Sequence, residues 1–170
     1  MLHRHRLLVA FCLCLLAPQL PAQDEAADPA LELYFAANAA YNRRLYPIAA
    51  GNYQSFLARY AAHPKAQLAR YGLGLSQFAL KQYDKAVAEF LKLINDPKLD
   101  KKIERGRLTL LHAQCLLYGG KKEEAQARLV AAASNLPAGV HQTGAIAAVA
   151  DLFFGQNDWQ KTVTWARKVQ

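Results

Sequence analysis

A thiol and an imidazole three residues apart, Cys115 and His112, are the side chains in this sequence best spaced to act as nucleophile and base, because residues i and i+3 share a helix face. Such catalysis also needs a group to orient the base, and none is evident beside them. The run His112-Ala113-Gln114-Cys115-Leu116-Leu117 lies in an apolar helical stripe, where cysteine serves as a small buried hydrophobe. Glu123 and Glu124 offer two carboxylates for acid–base work. Following Lys121 and Lys122, they read instead as a solvated first helical turn favoured by the helix dipole. Gly119-Gly120-Lys121-Lys122 lacks the preceding strand and the loop length of a phosphate cradle, and reads as the end of one helix and the start of the next. Zinc lacks ligands: beyond residue 22 the chain holds only Cys115 and three scattered histidines, His63, His112 and His141. The expectation is no catalysis, no metal and no cofactor.

Charge is the next resource. The 170 residues carry a formal net charge of +8. A modest positive field favours anionic partners such as lipid headgroups, anionic envelope polymers or acidic proteins. The basic residues are dispersed rather than interleaved with aromatics, which argues against nucleic acid. The densest stretch, Lys98 to Arg107, mixes five basic residues with Asp100 and Glu104, and reads as an exposed helix start in a link.

The N-terminus gives an address. Arg4 and Arg6 precede an uninterrupted apolar run, Leu7 to Ala17, then Pro18 and the small-residue site Leu20-Pro21-Ala22. That is the layout of a secretory signal peptide over residues 1–22. Eleven apolar residues fall short of the ~20 that cross a bilayer as a helix. Cys12 and Cys14 follow Phe11 and Leu13 rather than the small residue a lipoprotein signal requires. The expectation is secretion across the inner membrane to a periplasmic or outer-membrane-associated location, leaving a chain of charge +6 with the single cysteine Cys115 and no disulfide. Residues 23–29 read as a short polar linker, and residues 30–170 as the folded domain.

The elements that carry these side chains follow a helical period. Asp28-Pro29 is a cap followed by an N1 proline, opening a helix that runs to about Arg44. Pro47 opens a second, with Ile48, Ala49, Tyr53, Phe56, Leu57 and Tyr60 on one face, and His63-Pro64 closes the hairpin. Further helices are expected near 65–81 and 83–95, then 99–118 and 121–135, then 138–154 and from Asp158 onward. Almost nothing alternates as a strand, so the fold class is all-α, built from antiparallel helical hairpins.

Small residues recur through this plan. Ala37, Gly74, Ala113 and Ala150 mark the first helices. Ala49, Ala86, Ala125 and Thr162 mark the second, at intervals of 37, 39 and 37 residues. Two helices approach to 8–10 Å only where contact residues are small. A plug four residues after the second small position, namely Tyr53, Phe90, Leu129 and finally Ala166, fills the notch. Four units of this kind stack into an α-solenoid, in which no unit buries its apolar face alone.

The series Leu73-Gly74, Tyr83, Ala86, Phe90, and later Ala113, Ala125, Leu129 and Pro137, resembles the tetratricopeptide repeat (TPR) over residues 30–170, most closely in units two and three. Tyr46-x-x-Ala49-x-x-x-Tyr53-x-x-Phe56-x-x-x-Tyr60 and then Tyr83 through Ile94 are similar to repeats of the bacterial Tol-Pal coordinator and of the lipoprotein of the outer-membrane β-barrel assembly machine. The resemblance implies a protein- or peptide-binding scaffold whose first helices line a groove. Carried over position by position, that groove takes Tyr34, Asn38, Tyr41 and Asn42 from unit one, and Tyr71, with Leu75 and Phe78, from unit two. Units three and four add Gln114, Tyr118 and Asp151. Rings supply area and amides pair with backbone, which suits extended peptide. Leu75 and Phe78 serve equally well as core between repeats. The alternative is an envelope assembly role in which the basic surface meets anionic polymer or lipid. The last helix reaches Gln170 without the polar cap that solenoids carry, so a longer parent chain is expected.

Overall fold

The computed structural model describes residues 28–169; the signal peptide (1–22) and linker residues 23–27 lie outside that range, while Asp28 and Pro29, the end of the expected linker, cap and open the first helix. Eight helices fill it: α1 (Pro29–Asn42), α2 (Tyr46–Arg59), α3 (Ala66–Ala79), α4 (Tyr83–Ile94), α5 (Arg105–Tyr118), α6 (Lys122–Asn135), α7 (Val140–Gly155) and α8 (Trp159–Ala166). Each packs chiefly on its neighbours in sequence, so the chain is an α-solenoid of four antiparallel hairpins, with no strand among the described residues. The start at Asp28-Pro29 forms as its residue types require, with the Asp28 carboxylate accepting from Ala30 N at 2.8 Å. None of these helices is long and apolar enough to cross a membrane.

All four hairpins turn in the same way. A left-handed residue stands just past each first helix: Arg44 (φ 62°), Lys81 (φ 59°), Gly120 (φ 85°) and Asn157 (φ 60°). The next residue donates back across the turn, Leu45 N to Ala40 O at 2.9 Å, Gln82 N to Gln77 O at 2.8 Å, Lys121 N to Leu116 O at 2.9 Å and Asp158 N to Phe153 O at 3.0 Å. These bonds close carbonyls that a helix C-terminus leaves open. Glycine and asparagine suit the left-handed position. Arg44 and Lys81 carry a Cβ there at a cost of about 1 kcal/mol each. The turn bonds run through the fourth unit as well, where the small-and-large pattern has faded.

The small positions do what close approach demands. A methyl group on Gly74 would lie 2.5 Å from Phe90 Cε1, and one on Gly72 would strike the Tyr53 ring of the preceding unit. Phe90 therefore plugs its own hairpin, whereas Tyr53 reaches across to the next. The buried clusters are continuous in the same sense: Ala37, Ala49, Tyr53 and Phe56 share one with Leu73, and Ala86, Phe90 and Leu93 share one with Leu108 and Cys115. Helix α8 is the exception, with no buried residue, although Trp165 packs against the cluster around Leu129 and Val149.

One boundary differs from the sequence expectation. The helix expected from residue 99 begins at Arg105. Asp96 and Asp100 turn the chain first, their carboxylates accepting from Lys98 N and Lys102 N at 2.8 Å each, which is how aspartate competes with helix. Gln67 on α3 then fastens the link with both ends of its amide, donating to Asp96 Oδ2 at 2.7 Å and accepting from Asp100 N at 2.5 Å. Arg105 donates to Ile94 O at 2.8 Å and Asp96 O at 3.2 Å, placing a cation at the C-terminus of α4. The basic stretch 98–107 is thus mostly a fastened link rather than a free helix start.

Candidate protein-interaction surface

First helices approach one another, α1 against α3 and α5 against α7, while no two second helices come comparably close. The stack therefore curves with α1, α3, α5 and α7 on its inner side. The longer link 95–104 holds α3 and α5 further apart, leaving the widest interval of the inner face at its centre.

The expected groove residues divide between core and surface. Tyr34 rests on Phe56 and Tyr53, with ring centroids 5.8 and 6.4 Å away. Asn38 accepts from the Tyr53 hydroxyl at 2.5 Å, so its amide is occupied inside the first hairpin. Leu75 and Phe78 pack into the central cluster. Tyr118 is 58% exposed at the end of α5, where it stands 6.0 Å from Phe78 and 5.7 Å from Tyr83, at the hairpin-turn end of the inner face. Asn42 and Asp151 are exposed; Tyr41, Tyr71 and Gln114 are half-buried.

The centre of the face holds a group that sequence reasoning missed. Burial raises the phenols of Tyr41 and Tyr71 above their ordinary value, with Tyr46 adding to it at Tyr41, and the positive charge of Arg107 opposes the rise at both. Tyr41 rests on Tyr46 with ring centroids 5.5 Å apart and Tyr71 on Phe90 at 6.1 Å, each within its own hairpin, while Arg107 is exposed on α5. Glu104 Oε2, just before α5, lies 2.8 Å from His141 Nε2 of α7. Arg107 read as one more solvated charge because nothing in its local sequence marks it; the signal was its repeat position, one residue past Gly106, where Leu31 and Leu68 stand in units one and two.

A cleft of about 470 Å³ at the link edge is lined by His63, Gln67, Arg70, Asp96 and Lys98. Arg70 is bonded to Glu89 at 2.6 Å and Gln67 to the link, so they hold the fold together. Cys115 is fully buried, and burial pushes its thiol up to about 12. His112 is 1% exposed, and neither ring nitrogen has a hydrogen-bond partner, Cys115 included. No assembled thiol–imidazole pair exists there. Native Cys115 is expected to react with iodoacetamide at pH 8 roughly a hundredfold more slowly than in guanidinium. A comparable rate in both, read by mass, would refute its burial.

No protein-family model and no curated protein matches this sequence. Solved structures do match in fold. A kinesin light chain protein of Podosopora anserina with nearly identical TPR-like repeats superposes with a TM-score of 0.69 at 15% identity, over 86% of this chain and 76% of its own. RapI in its apo form superposes with a TM-score of 0.68 at 13% identity, over 85% of this chain and 57% of its own. At such identities the likeness is one of fold: these hairpins are similar to TPR-like repeats.

Proposed function

We propose that the chain is a secreted, periplasmic scaffold that captures an extended protein segment along the inner face of its first helices, without catalysis. The observation that carries this reading is the set of incompletely buried Tyr41 and Tyr71 and exposed Arg107 on three successive first helices of the inner face. Half-buried rings supply contact area at little entropic cost, and the guanidinium can pair with backbone carbonyls or a carboxylate of an extended chain. Asn42, Gln114 and Asp151 extend the polar part of the face beyond this centre. The TPR-like fold agrees, since stacked hairpins present surfaces. Secretion rests on the layout of residues 1–22, and the likeness to envelope repeats points the same way.

The test is selection of displayed random peptides on residues 28–169, followed by titration of the best binder. Tyr41→Ala combined with Arg107→Glu is expected to weaken it by tenfold or more while leaving the helical circular-dichroism signal intact. Binding that withstands both changes would overturn the groove. Loss of the leader's cleavage on expression in a secreting bacterium, with the product retained in the cytoplasm, would overturn the periplasmic assignment.

A further inference from the structure

We propose that the edge formed by the four hairpin turns docks on the surface of an anionic phospholipid bilayer. In a stack of hairpins every such turn falls on one edge and every link between hairpins on the other, so residues remote in sequence come into line. The turn edge carries Arg43, Arg44, Lys81, Lys85 and Lys122, all exposed, and among the described residues none of these five is paired with a carboxylate. Lys121 and Lys161 stand there too, already paired with Asp84 and Asp158 at 2.8 and 2.9 Å.

Apolar side chains accompany the charges. Leu45 and Ile48 at the first turn are 45% and 55% exposed, Tyr118 at the third 58%, and Phe154 and Trp159 at the fourth 58% and 57%. The last two stack on each other with centroids 5.2 Å apart, which presents them as one unit. The second turn contributes charge alone. Tyr118 keeps this exposure although its ring also rests on Phe78 and Tyr83. Isolated exposed leucines are ordinary, but five large apolar groups on the edge that also holds the unpaired cations are not.

The turn geometry gives a second, independent reason. The left-handed position takes glycine in the third unit and asparagine in the fourth, residues that fit it, yet arginine and lysine in the first two. Among the described residues neither Arg44 nor Lys81 makes a side-chain hydrogen bond or ion pair that would repay the strain within the fold.

A bilayer fits this edge better than a folded partner does. Turns of successive packed helices stand about 10 Å apart, so cations and apolar tips recur along one edge at a spacing that a continuous charged surface can meet. Point charges satisfy headgroup phosphates diffusely, and tryptophan, tyrosine and aliphatic tips enter the headgroup boundary. The inner face stays open, so the inference stands apart from the peptide-capture reading and neither falls with the other.

Residues 28–169 hold every helix described and omit the apolar run 7–17, which would itself enter lipid. Sedimentation of this chain with phosphatidylglycerol–phosphatidylcholine vesicles is expected to show binding at least tenfold stronger than with phosphatidylcholine alone, falling steeply with salt. In a Trp165→Phe background, Trp159 emission is expected to shift to the blue on binding. Arg44→Gly with Lys81→Gly removes both strained side chains from positions that glycine favours, so the variant keeps or raises its melting temperature and loses vesicle binding at least fivefold. Equal binding to neutral vesicles, an unmoved Trp159 spectrum, or undiminished binding by the glycine pair would each overturn the proposal.

Discussion

Gly74→Ala is expected to lower the stability of the chain by about 1–3 kcal/mol, and Phe90→Leu in the same chain to restore most of it. In isolation a glycine in mid-helix gains from alanine, by about 1 kcal/mol. Here the new methyl group meets Phe90 Cε1 at 2.5 Å, and both residues are fully enclosed, so the ring must leave its rotamer or the helices must part. Phe90→Leu alone leaves a gap opposite Gly74 and costs about 1 kcal/mol or more. Together the two substitutions reproduce the pair already packed in unit three, Ala113 at 0% and Leu129 at 1% exposure. The expected coupling exceeds about 1 kcal/mol, measured as urea midpoints of the two single variants and the double. Additive losses would show that the small position and the plug do not form one contact.

His112→Leu is expected to stabilise the chain by about 1–3 kcal/mol, because a buried imidazole without a partner bears its desolvation uncompensated. The repeat names the replacement. Leu73 occupies the corresponding position of unit two and is 3% exposed. The same substitution should change the response to acid. Burial, with Arg128 adding to it and Glu124 opposing it, lowers the His112 pKa below its ordinary 6.5. The folded state resists the proton that the unfolded state accepts, so stability is full above about pH 6.5 and declines as pH falls below it, until the folded pKa is passed. The slope cannot exceed about 1.4 kcal/mol per pH unit for one group. The stability linked to the lowered pKa values of Asp28 and Asp158 is lost only as pH falls from about 3.8 downward, so the two regions separate. Thermal melts between pH 7 and 5 should slope in the parent chain and lie flat in the leucine variant. Parallel slopes would place the titrating group elsewhere.

The hairpins were legible because they rest on local spacing. Small residues at intervals of 37, 39 and 37, an aspartate before Pro29 and prolines in the links all act within a turn or two of themselves. The left-handed position recurs at the same intervals, but Arg44, Lys81, Gly120 and Asn157 share no chemistry and hid it. The helix expected at residue 99 failed against two aspartates, whose turn-forming bonds were a readable signal, and against Gln67, whose part depends on packing and was not. The candidate groove was less legible than the fold. A tyrosine at an inner position serves as core or as surface depending on what the next helix offers: Tyr34, Tyr41 and Tyr71 all rest on second-helix rings, while Tyr118 at the end of α5 stays 58% exposed. The orphaned nitrogens of His112 belong to the same class, since only tertiary contacts decide whether a buried imidazole finds a partner.

Helix α8 makes every unit's dependence on its neighbours visible in time. It buries no residue of its own and rests on the stack chiefly through Trp165, so its amide protons should exchange with solvent soonest among the eight helices. Protection should then rise toward α3, α4 and α5, whose shared cluster and fastened link must open as one. In a chain of this design, position along the stack sets the lifetime of each hydrogen bond.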